Sequence, residues 1–158
     1  MKIEELENKI KELQEEVEKL KEEKKNKRWR AERDESYYFI DSNGEVYSTA
    51  DSLNFDKVRY YIHNYFKTEA EAQTVADNIK THIELMELAE ELNTEPIDWK
   101  KVYKKYFIGY CYDDETIYQE CVKQCKHSNT VYCTNKNFKD EAIKRIGEER
   151  LIRYLKGE

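Results

Sequence analysis

Ile3, Leu6, Ile10, Leu13, Val17 and Leu20 recur at alternating intervals of three and four residues. With β-branched residues at a and leucine at d, this heptad pattern predicts a helix over 1–28 whose narrow apolar seam needs a second helix. Placing Ile3 at a makes the g-to-e′ pairs of two parallel copies Lys2–Glu7, Lys9–Gln14 and Glu16–Lys21; two are complementary and none is repulsive. Lys24 takes the next a position, where the seam stops. A helix docked on its own domain carries a wider stripe, with e or g also apolar, whereas here those positions are charged or polar. The segment is expected to self-associate, as a homodimer or higher homo-oligomer, or to pair with a partner helix.

Charge separates this segment from the rest of the chain. Residues 1–35 hold 11 basic and 12 acidic side chains, and residues 36–158 hold 17 and 22, so most of the net charge of −6 lies on the body. An acidic body disfavours non-specific nucleic-acid binding, which draws most of its affinity from phosphates. The local exception is the basic run Lys24, Lys25, Lys27, Arg28, Arg30 and Arg33 around Trp29. Residues 29–36 form a basic hinge in which the cations can meet phosphates while Trp29 stacks on a base; alternatively, Trp29 packs on the body. No stretch approaches the ~20 apolar residues of a membrane span. Met1-Lys2-Ile3-Glu4-Glu5 lacks the apolar core of a secretory signal, and an intracellular protein without membrane attachment is expected.

From Tyr37 the pattern alternates. Tyr37–Asp41 and Glu45–Thr49 flank Asn43-Gly44, whose tolerance of positive φ makes a hairpin signal. The aromatic run Arg59–Phe66 reads as a third strand. Thr68 and Glu71 then form a capping box opening a helix that ends near Asn93, with Ala72, Val75, Ala76, Ile79, Ile83, Met86 and Ala89 as its apolar face. The order repeats after Pro96: strands over Tyr106–Tyr112, Thr116–Val122 and Thr130–Cys133, then a helix capped by Asn135 or Asn137 that carries Phe138, Ala142, Ile143 and Ile146. Gly147 interrupts it before a short helical stretch over Glu148–Leu155. The expected fold is α+β: the N-terminal coiled-coil helix, then a body over 37–158 with a mainly antiparallel sheet and helices on one face. Its halves, 37–95 and 96–158, both read as βββα.

Consecutive strand residues point to opposite faces, so the many tyrosines cannot all enter one core. Exposed tyrosine suits protein interfaces. The candidate partner-binding residues are Arg28, Trp29, Arg30, Tyr38, Tyr61 and Tyr65, with Asp113, Asp114 and Glu115 in the second hairpin turn. Cys121, Cys125, His127 and Cys133 are four possible metal ligands close in sequence, which a zinc ion would need to converge tetrahedrally. Their spacing matches no common finger or ribbon, and reduced structural cysteines are the expected reading. There is no phosphate-cradling glycine loop, no H-E-x-x-H and no G-x-S-x-G, so neither a catalytic residue nor a cofactor is expected.

The run Tyr37-Tyr38-Phe39-Ile40-Asp41 with Gly44 and Val46-Tyr47-Ser48-Thr49, then Asn54, Arg59-Tyr60 and Asn64 to Ala72, resembles small accessory proteins of phages and prophages of Gram-positive bacteria. So does the ending Val131-Tyr132-Cys133-Thr134, Asn137-Phe138, Ala142-Ile143 and Ile146-Gly147-Glu148-Glu149 with Leu151. The resemblance covers most of the chain, and such proteins often carry a heptad-like N-terminal helix. It implies a protein of the bacterial host cytoplasm, in a setting where inhibitors of bacterial immunity, including anti-CRISPR proteins, are frequent. The expected function is non-enzymatic inhibition of a CRISPR-type immune effector, a host defence protein, through protein–protein contact. The alternatives are a sponge for a nucleotide signal and a nucleic-acid-associated or assembly protein of a phage.

Overall fold

Gly44 adopts φ +82°, which glycine reaches without a Cβ penalty, and the chain reverses there. The Asp41 carboxylate fixes this loop by accepting from the N–H groups of Asn43 and Glu45, each at 2.9 Å. The computed structural model describes residues 9–18 and 28–158. It places the first hairpin where the sequence puts it, with β1 (Ser36–Ile40) antiparallel to β2 (Val46–Ala50) and Tyr38 opposite Ser48. Residues 9–18 form a helix, α1, with every side chain exposed. Ile3, Leu6 and Leu20 lie outside the described residues.

The third strand expected over Arg59–Phe66 does not form: α2 (Asn54–Tyr61) takes its first three residues, and turn and irregular chain lead on to a single bridge at Phe66. Asp56 accounts for the helix. Its carboxylate accepts from the N–H groups of Ser52 at 2.9 Å and Leu53 at 2.6 Å, and so closes the first turn. His63, at φ +65°, then swings the chain back. Phe66 pairs with the hairpin through two backbone bonds with Tyr38 at 2.8 and 2.9 Å, and the Asn64 side-chain amide accepts from the Ile40 N–H at 2.7 Å and donates to its carbonyl at 2.6 Å.

The Thr68–Glu71 capping box opens α3 (Glu69–Leu92) as expected. The face this helix buries differs from the expected one. Ala72, Ala76 and Ala89 are buried, but so are Thr81, Leu85 and Leu88, whereas Val75, Ile79, Ile83 and Met86 face solvent. At 3.6 residues per turn, Ala72 and Ala76 lie on roughly the opposite side of the helix from Leu85 and Leu88. The helix contacts both strands of the first hairpin and joins the second core through Leu85, Leu88 and Ala89. One apolar face, as periodicity implies, is the wrong picture for a rod gripped from two sides.

The second half follows its reading closely. β3 (Lys105–Cys111) pairs antiparallel with β4 (Thr116–Val122) around the turn that holds Asp113, Asp114 and Glu115. The strand expected over Thr130–Cys133 contracts to one bridge, Cys133 to Tyr106. α4 (Phe138–Ile146) and α5 (Glu148–Lys156) flank Gly147, at φ +91°. Asn137 occupies the N-cap position without a side-chain bond; Asn135 Oδ1 instead accepts from the Asn137 N–H at 2.9 Å.

The fold is therefore α+β, but with two small antiparallel sheets in place of one. The halves share a frame. Tyr37-Tyr38-Phe39-Ile40 in β1 matches Lys105-Tyr106-Phe107-Ile108 in β3, and Tyr38 and Tyr106 each bridge the residue that precedes the next helix segment, Phe66 or Cys133. Tyr37 and Lys105, at the matching position, are both fully buried. The principal apolar core lies in the second half, where Ile108, Ile117, Phe138, Ala142, Ile146 and Leu151 meet the C-terminal turns of α3.

Candidate binding surface

The first half is held by polar tips on stacked rings. Tyr37 and Tyr65 stack with centroids 3.7 Å apart and planes at 10°. The Tyr37 hydroxyl donates to Asp56 at 2.5 Å and accepts from Arg59 at 3.0 Å. Tyr65 donates to Asp51 at 3.0 Å, and Arg30 grips the same carboxylate with two bonds, at 2.8 and 3.2 Å. Burial, then the adjoining carboxylate, pushes both phenols up to about 12. Arg30 first of all holds Asp51 below the ordinary carboxylate range. Burial pushes Asp56 upward, yet the bonds from Tyr37, Leu53 and Ser52, with Arg59 nearby, outweigh it and leave its pKa lowered.

This network assigns four of the nine sequence-predicted contact residues, Arg28, Trp29, Arg30 and Tyr65, to structure. Arg28 donates to the carbonyls of Tyr60 at 2.5 Å and Tyr65 at 3.1 Å, and its own carbonyl accepts from the Tyr60 hydroxyl at 3.0 Å. Trp29 packs on Tyr65 with centroids 5.7 Å apart. The start of the hinge is thus docked on the body, with Arg28 half-buried and Arg30 exposed but paired with Asp51, while Arg33 stands in solvent. Tyr65, a predicted contact residue, is a core residue. Tyr38 is half-buried beside its bridge to Phe66, and Asp113, Asp114 and Glu115 lie exposed at the far hairpin turn. Tyr61 is 75% exposed, its ring edge-on to Tyr60.

The cysteine set does not assemble. Tyr106 pairs with Cys121 on one side and Cys133 on the other, so the two cysteines flank β3 about 10 Å apart, two strand spacings. Zinc–thiolate bonds of about 2.3 Å leave no common centre for both. Cys133 lies in the apolar core, where burial pushes its thiol up, while His127 packs edge-on against Phe107. No group of three metal-ligating side chains converges among the described residues.

What the structure adds is an apolar face. Because Asp56 and Arg59 turn α2 inward, Phe55, Val58 and Tyr61 point out with Leu53 and Ile62, all more than half exposed and Phe55 at 72%. Ile62 continues into a groove of about 800 Å³ between the tip of the first hairpin and α3. Ile40, Phe66, Val75, Ile79 and Ile83 line it, with Lys80, Glu84 and Glu87 along the helix side. Protein surfaces rarely leave such contiguous apolar area without a use. The spacing of Phe55, Val58 and Ile62 by three and four carries the signal in the sequence, but an expected strand there obscures it. Comparison of the chain with protein-family models, with curated proteins and with solved structures finds no match.

Proposed function

We propose that this protein is a non-catalytic binding protein that engages a protein partner through the apolar face of α2 and the adjoining α3 groove. The observation that carries this reading is the exposure of Leu53, Phe55, Val58, Tyr61 and Ile62 on one short helical segment whose inward side is fully engaged. Aromatic and aliphatic anchors on a rigid helix make an efficient interface centre, because few rotors are immobilised on binding. The partner class we propose is a CRISPR-type effector of bacterial immunity. The sequence resemblance to phage accessory proteins supports it, as does the acidic body, whose charge complements the basic channels of nucleic-acid-processing proteins.

Binding to a panel of purified CRISPR effectors tests the proposal. Phe55→Asp and Val58→Asp, at exposed positions that leave the fold intact, should each weaken association about 30-fold, the scale of an interface hot spot. An effector bound equally well by both variants, or no effector bound by the wild type, would overturn this reading.

A further inference from the structure

We propose that α1 folds back onto α3 of its own chain, laying Ile10, Leu13 and Val17 antiparallel along Ile79 and Ile83 in the groove. Both stripes are unpartnered and close in exposure: Ile10, Leu13 and Val17 at 48–55%, Ile79 and Ile83 at 50–51%. The narrow seam with charged flanks does not fit a broad face of the body but does suit one facing helix, and the groove side of α3 offers such a helix within the same chain.

The point where the chain enters the body makes this seating reachable. Arg28 is pinned to the carbonyls of Tyr60 and Tyr65, and Ile62, His63, Asn64 and Phe66 of the same segment form a wall of the groove. Residues 19–27 reach about 30 Å when fully extended, while Ile79 and Ile83 are about 6 Å apart along their helix.

The anchor also sets direction. Tyr65 and Phe66 lie just before the N-terminus of α3, so the shorter path from Arg28 brings the C-terminal end of α1 to that end and runs the two helices opposite ways. Charge agrees independently. The N-terminal end of α1 carries Lys9 and Lys11, and its later turns Glu15 and Glu16; along the groove-lining stretch of α3 the order is Lys80, then Glu84 and Glu87. Over the stretch of α3 that lines the groove, the antiparallel arrangement sets Lys9 and Lys11 toward Glu87, and Glu15 and Glu16 toward Lys80, and it opposes the two helix dipoles as well.

Seated in this way, α1 is a strap over the α3 part of the binding face, which a partner must displace. That consequence rests on the proposed function; the seating itself is measured on the protein alone. Hydrogen exchange of the intact chain reads it, because a helix of this length has little protection by itself in water. The expected result is slowed exchange over residues 9–18 in a monomer by light scattering. Ile79→Asp, and separately Leu13→Asp, should speed that exchange about tenfold or more, equivalent to about 1.4 kcal/mol, with α4 and α5 unchanged. Unprotected α1 amides in the wild type would overturn the proposal. So would protection insensitive to Ile79→Asp, or protection that falls on dilution together with a dimer mass, which assigns the seam to a second copy.

Discussion

The two hairpins start from the same strand frame and are stabilised by different chemistry. In the first half, the buried Tyr37 requires a carboxylate, a guanidinium and a stacked ring. In the second, the matching residue is Lys105, whose buried ammonium donates to the carbonyls of Lys101, Tyr103 and Lys123 at 3.0, 3.3 and 2.5 Å and lies 3.9 Å from the Tyr103 ring centroid. Lys105 sits among carbonyls and the Tyr103 and Trp99 rings, apart from the apolar core of its half; Tyr37 is itself part of the small cluster it forms with Ala31 and Tyr65. A shared backbone pattern thus tolerates two solutions, provided each buried polar group has its own partners. The half with less apolar burial is also the one that exposes the binding face, so recognition and stability are concentrated in different places.

Substitution can break this division. The largest effect is expected from Leu151→Ala, which empties a fully buried site in the second core and should cost about 3 kcal/mol in denaturant unfolding. Because Leu85, Leu88 and Ala89 of α3 belong to that core, both halves should loosen together. Tyr37→Phe should cost less, about 1–2 kcal/mol, by withdrawing one donor from Asp56 and one acceptor from Arg59. Its faster amide exchange should be confined to β1, β2 and α2. Equal losses from the two substitutions, spread over the same amides, would remove the distinction between the halves.

Acid sharpens the comparison with the smallest perturbation. Asp51 and Asp56 have pKa values lowered by folding. Their contribution is complete above the unfolded-state value of about 3.9 and disappears as pH falls through the lowered values. Exchange in the first half should therefore accelerate below about pH 4 while α4 and α5 stay protected. Simultaneous loss throughout the body would show that these carboxylates do not set local stability.

Much of the fold is written in local chemistry. Asn43-Gly44, the Thr68–Glu71 box and Gly147 each mark a boundary through a backbone conformation or a cap that depends on neighbours in sequence. α2 is not readable in this way, because Asp56 caps it while held by Tyr37, 19 residues earlier in the chain. The alternating aromatics of Arg59–Phe66 imitate a strand on their own. The binding face is hidden for a related reason: periodicity places Val75, Ile79 and Ile83 on one stripe but does not say whether anything covers it. Likewise, Arg28 and Arg30 look like a basic patch until their carbonyl and carboxylate partners are known.

The rod gripped from two sides has a practical corollary. A fragment begun at Pro96, where a boundary between halves looks natural, would carry the second hairpin and both terminal helices yet leave behind three of the side chains that close its interior. Such a piece would show sticky hydrocarbon to the solvent and clump, so dissecting this molecule into separately foldable parts requires that α3 travel with the C-terminal portion.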